Sequence, residues 1–145
     1  MFTDVSPDYL SRDLRTYRAV ETEEFSLDVT ITRVASSVLD VSFHRCDSSQ
    51  NLLKVSGARR IISCIISALH DTLGTKNQMI DSMSEEIEIQ MNVVFGSKSS
   101  KRVLMYARLV EKYIPAFEKS NLIPFVATKT VVTTGSVVIF IKRTQ

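Results

Sequence analysis

The stretch from Glu86 to Phe117, EIEIQMNVVFGSKSSKRVLMYARLVEKYIPAF, places an alternating run, a basic turn and a helical pattern in direct succession. Ile87, Ile89, Met91, Val93 and Phe95 alternate with Glu86, Glu88, Gln90 and Asn92, the period that turns one strand face to a core and the other to water. Gly96 lets the chain turn, and Ser97, Ser99 or Ser100 can offer an oxygen to the unpaired first-turn N–H groups of a helix. In that helix Val103, Ala107, Val110, Ile114 and Phe117 recur on one face, while Arg108, Glu111, Lys112 and Glu118 fall elsewhere. Pro115 cannot donate to the carbonyl of Glu111, which predicts a kink or an early stop.

Upstream, Ser6-Pro7-Asp8 carries a capping hydroxyl, a proline at a first helical position and an acid facing the positive end of the dipole. A helix is expected from Pro7 to about Val20, with Leu10, Leu14 and Tyr17 as a narrow apolar stripe suited to docking on a surface. Phe25, Leu27, Val29 and Ile31, then Leu39, Val41 and Phe43, alternate with polar residues on either side of a turn near Ala35 to Ser37. They predict an antiparallel hairpin with one wet face. Asp47-Ser48-Ser49-Gln50 reads as a capping box, and Ile61, Ile62, Ile65, Ile66, Leu69 and Leu73 form the broad apolar face of a core helix that stops at Gly74. Thr75 to Ser84 has no period and is read as a polar connection. Downstream, Ile123, Phe125 and Ala127, then Val137 to Ile141, read as a second hairpin across Thr133-Thr134-Gly135-Ser136.

The expected fold class is therefore α+β: a mainly antiparallel five-stranded sheet, made of two hairpins and a central strand, with two long helices on one face. Residues 1–24 form an N-terminal helical arm, and residues 25–145 a single domain. A chain of 145 residues and 16.3 kDa suits that organisation, and 44% hydrophobic with 23% charged residues is an ordinary globular balance. The N-terminal MFTDVSPDYL lacks the basic start and apolar core of a secretory signal, and no apolar run approaches the roughly 18 residues of a membrane span. A soluble, intracellular protein, cytoplasmic or nuclear and without integral membrane insertion, is the expectation.

Chemistry is harder to find. The turn Ser97, Lys98, Ser99, Ser100, Lys101 and Arg102 lies between a strand and a helix N-terminus, where free N–H groups and the dipole favour an anion. It lacks the G-K-[ST] ending of a P-loop, so nucleotide hydrolysis has no support. Arg59 and Arg60 near the core helix start, Lys54 before it and Lys142 and Arg143 at the last strand could join that turn in one basic patch. A net charge of +2 argues nothing either way. His44, Cys46, Cys64 and His70 give the composition of a zinc site, but Cys64 and His70 are six apart on a helix and diverge, so neither metal nor cofactor is expected. There is no nucleophile elbow, His70 beside Asp71 is only adjacency, and Glu86 with Glu88 fits an exposed strand face.

An enzyme is therefore not expected. The residues point to a non-catalytic structural or interaction protein that self-associates, with Leu10, Leu14 and Tyr17 as its oligomer interface, and that engages an anionic partner. The alternative is a nucleic-acid-binding protein that recognises the RNA or DNA phosphate backbone through Ser97, Lys98, Ser99, Ser100, Lys101, Arg102, Arg59 and Arg60, or a matrix-like protein on an acidic membrane surface.

Overall fold

A computed structural model describes residues 5–20, 25–47, 52–53, 58–92, 100–118, 124–133 and 135–144. The described residues contain eight strands: β1 (Ser6–Leu10), β2 (Leu14–Val20), β3 (Phe25–Ala35), β4 (Val38–Asp47), β5 (Leu52–Leu53), β6 (Glu86–Asn92), β7 (Phe125–Val132) and β8 (Ser136–Arg143). The helices are α1 (Ala58–Gly74), α2 (Gln78–Asp81) and α3 (Ser100–Glu118). Seven strands lie in the order β1-β2-β3-β4-β6-β8-β7, and β5 pairs with the end of β4.

The sheet is mixed, which corrects the expectation of five antiparallel strands. β1 to β4 form an antiparallel meander, but β4 and β6 are parallel, with Val38 opposite Glu88 and Val41 opposite Met91. The cause is α1. A helix crossing the face returns the chain to the end from which β4 started, so the next strand must run beside β4 in the same direction. α3 repeats the move after β6, and β8 then fills the place between β6 and β7, antiparallel to both.

The expected helical arm is also corrected. Its residues form β1 and β2, and β2 pairs with β3 along its whole length. Arg15, Tyr17 and Ala19 point inward, a strand period concealed in the sequence because the first of these inward residues is charged. Leu10 and Leu14 stand on either side of a turn in which Ser11 bonds Leu14, so their helical spacing is coincidental. Pro7 costs nothing in β1, an edge strand whose outer side needs no donor. One smaller correction follows: residues 78–81 are helical, capped by Asn77 Oδ1 accepting from the Ile80 N–H, with Met79 and Ile80 buried, while α3 runs on through Pro115 to Glu118, three residues beyond it.

One sheet face is covered. Leu27, Val29 and Ile31 of β3, Leu39, Val41 and Phe43 of β4, Ile87, Ile89 and Met91 of β6 and Val137, Ile139 and Ile141 of β8 join the buried faces of α1 and α3 in one core. The Phe43 and Tyr106 rings lie 6.1 Å apart, fixing the second turn of α3 over β4. Across the opposite, polar face run two hydrogen-bonded chains. Arg18 grips Asp28 through two bonds of 2.9 and 3.1 Å, and Asn92 links Asp40 at 2.8 Å to Ser136 at 3.1 Å, so strands are tied side to side where no core supports them.

Candidate functional site

Because β4 and β6 run parallel and each leads into a helix that travels back across the face, α1 and α3 begin at one end of the sheet and pack against each other. Arg59 and Arg60, both exposed, stand in the first turn of α1. Ser100, Lys101 and Arg102 occupy the first turn of α3, while Ser97, Lys98 and Ser99, like Lys54, lie outside the described residues. Neither first turn contains an acidic residue, so the positive ends of two helix dipoles come together at this end of the molecule, in turns that include Arg59, Arg60, Lys101 and Arg102.

Lys142 and Arg143 do not join them. β8 runs antiparallel to β6 and pairs Lys142 with Glu86, at the far end of a seven-residue strand, about 20 Å away at ~3.3 Å per residue. The Arg143 guanidinium lies over the Phe125 ring at 4.8 Å and donates to the carbonyls of Ile80 and Met83, which binds it to the fold.

That far end is indented, and it carries carboxylates as well as the cations of β7 and β8. A groove of about 680 Å³ opens there on the polar face, lined in part by Glu85, Glu86 and Glu88, with Phe140, Thr128 and Lys129 across from them. Its walls are anchored by backbone: Ser84 N–H donates to Ser36 O at 2.8 Å and Glu88 N–H to Ser37 O at 2.7 Å. The register of β7 shifts between Ala127 and Lys129, leaving Thr128 unpaired in the ladder, and Thr128 Oγ1 donates to Phe140 O at 3.2 Å. Lys129 Nζ sits 5.7 Å from the centre of the Phe140 ring, a cation held on an aromatic floor. Among the described residues the three glutamates form no ion pair.

A third constellation, absent from the sequence reading, lies under the sheet. Tyr17, fully buried, donates its hydroxyl to Asp71 Oδ2 at 2.6 Å, contacts Thr72 Oγ1 at 2.9 Å and accepts from Arg15 Nε at 2.9 Å. Arg15 is only 5% exposed and also reaches Asp71 Oδ2 at 3.3 Å. Burial above all, and then the bond to Asp71, push the Tyr17 hydroxyl up to about 12. This joins β2 to α1 and takes Tyr17 out of the expected oligomer interface; Leu10 is exposed and Leu14 half-buried. The one available signal was Arg15 and Tyr17 two apart, with Asp71 in the helix that follows.

The remaining candidates do not converge. His44 Nε2 is 3.7 Å from Asp28 on the polar face, while Cys64 is buried within α1. Among the described residues no three His, Cys, Asp or Glu side chains are grouped as metal ligands would be. No helix in the described residues is long and apolar enough to cross a membrane. No family model matches the chain, and neither a curated protein nor a solved structure matches it.

Proposed function

We propose that the protein is a non-catalytic interaction and assembly module that engages an anionic partner at the end where α1 and α3 begin. The observation that carries the reading is the parallel β4–β6 pair with a helix after each strand, which brings Arg59, Arg60, Lys101 and Arg102 to one end with two helix N-termini. Anions gain there from both the free N–H groups and the dipole. The partner chemistry is a phosphate or comparable polyanion, held by charge rather than by base stacking, since no aromatic residue is interleaved with these cations.

A second reading, an acidic lipid surface, is favoured by one feature of α3. Leu104 and Met105 remain exposed beside exposed Arg108 and Lys112, the mixture of apolar and basic side chains that lies well at a charged membrane interface. Salt titration of binding to a generic RNA duplex, a DNA duplex and anionic vesicles tests both. Phosphate neutralisation predicts affinity falling steeply as salt rises, and vesicle binding that survives high salt and is lost in Leu104→Ser/Met105→Ser selects the lipid reading. Binding to none of the three at low salt would refute the anionic partner.

A further inference from the structure

We infer that the groove lined by Glu85, Glu86 and Glu88 receives the basic end of a second copy of this chain, making a head-to-tail contact. The inference rests on the reading that the protein self-associates, and it names the two surfaces. One is the groove, about 680 Å³ in volume, whose described lining carries Glu85, Glu86, Glu88 and Lys129, with Lys142 opposite Glu86 on the neighbouring strand. The other is the opposite end of the same molecule, where Arg59, Arg60, Lys101 and Arg102 stand in the first turns of α1 and α3.

Charge complementarity selects the occupant, and geometry makes it another molecule. The two surfaces lie at opposite ends of β6, so one chain cannot bring its own basic end into its own groove. Helix dipoles add to the same polarity, positive at the α1 and α3 starts and negative toward their C-termini, so copies aligned in series attract. The groove also displays the chemistry it would use. Lys129 already places a cation 5.7 Å from the Phe140 ring, and the remaining negative charge belongs to glutamates that have no ion-pair partner among the described residues. The backbone bonds from Ser84 to Ser36 and from Glu88 to Ser37 hold the walls in place before any partner arrives, so little ordering cost is added on docking.

A contact between two different surfaces is heterologous: it closes into a ring where the rotation allows and otherwise grows into a filament. The test uses two full-length variants, Glu86→Gln/Glu88→Gln and Arg59→Gln/Lys101→Gln/Arg102→Gln, with folding checked by circular dichroism. Mass is followed by light scattering and sedimentation across a salt series. Wild type is expected to form species larger than two chains at low salt that dissociate as salt rises, and each variant alone to associate about tenfold or more weakly. An equimolar mixture keeps one intact groove and one intact basic end, so it is expected to form one-to-one dimers that do not grow. Variants with wild-type mass, or a mixture that stays monomeric, would overturn the head-to-tail contact while leaving self-association in force. A wild type that is monomeric at low salt would overturn self-association itself.

Discussion

Replacing Tyr17 by Phe removes one oxygen and keeps the ring in its place at the centre of the β2–α1 contact. The lost bonds are those to Asp71 at 2.6 Å, Arg15 at 2.9 Å and Thr72 at 2.9 Å. Hydrogen bonds involving charged groups are worth about 1.5–3 kcal/mol net, and an unmade buried donor costs about 1–3 kcal/mol. Arg15 keeps Asp71 at 3.3 Å, and the Asp71 side chain, 41% exposed, can recover water, so the expected loss is near the middle of that scale, about 2–3 kcal/mol. Alkali tests the burial of the hydroxyl, since desolvation first and the bond to Asp71 second raise its pKa while Thr72 and Arg15 lower it. Tyr17 is raised from 10.0 to about 12 in the fold, so its contribution is complete below about pH 10 and is lost as pH rises from about 10 through about 12. Two units correspond to about 2.7 kcal/mol, so wild type is expected to lose stability relative to Tyr17→Phe, by up to about that amount, as pH rises across that window. Urea unfolding followed by circular dichroism at neutral pH and at steps across the window measures it. A gap under about 0.5 kcal/mol at neutral pH, or one that persists unchanged to the top of the window, would refute the hydroxyl's place between Arg15 and Asp71.

Ile65→Ala, at a fully buried position of α1, is expected to cost about 2–5 kcal/mol in chemical denaturation through lost transfer energy and a cavity. Deleting residues 1–10 takes away the exposed β1 and the partly buried Val5, whereas deleting residues 1–20 also removes Tyr17 and Ala19 from the core; a folded first truncation and an unfolded or aggregated second are expected in thermal melts. Asn92→Ala cuts the chain from Asp40 to Ser136 across β4, β6 and β8 and is expected to lower stability by about 1 kcal/mol in urea titration. Lys98→Gln/Lys101→Gln/Arg102→Gln is expected to raise the melting temperature slightly, because each cation opposes the dipole at an N-terminus by about 0.3–1 kcal/mol, while weakening binding to the anionic partner. Unchanged binding to RNA, DNA and acidic vesicles alike would return that turn to ordinary helix capping.

The candidate site was legible only in pieces. Arg59, Arg60, Lys101 and Arg102 are visible as cations near helix starts, but their shared end depends on the parallel β4–β6 pair, and pairing direction is set by a crossover rather than by any residue in either strand. The same topology sends Lys142 and Arg143 to the other end. The groove escaped notice because Glu86 and Glu88 look like any wet strand face until the β7 bulge and the walls at Ser36–Ser37 and Ser84 enclose them.

Sequence alone determined those elements whose local pattern is unmixed. Ile87, Ile89 and Met91 alternate cleanly and form β6, and the apolar face from Ile61 to Leu73 closing on Gly74 forms α1, since period and termination are properties of a single segment. Tertiary structure decided everything that needed a partner segment. Residues 6–20 carry capping signals and a helical spacing strong enough to imitate a helix, yet they are strands, because β3 offers a hydrogen-bonding edge and Asp71 offers Arg15 and Tyr17 a buried partner. A charged residue turned inward breaks the alternation that would have announced the strand, and it is tolerated there only because the carboxylate that satisfies it arrives from a helix more than fifty residues later.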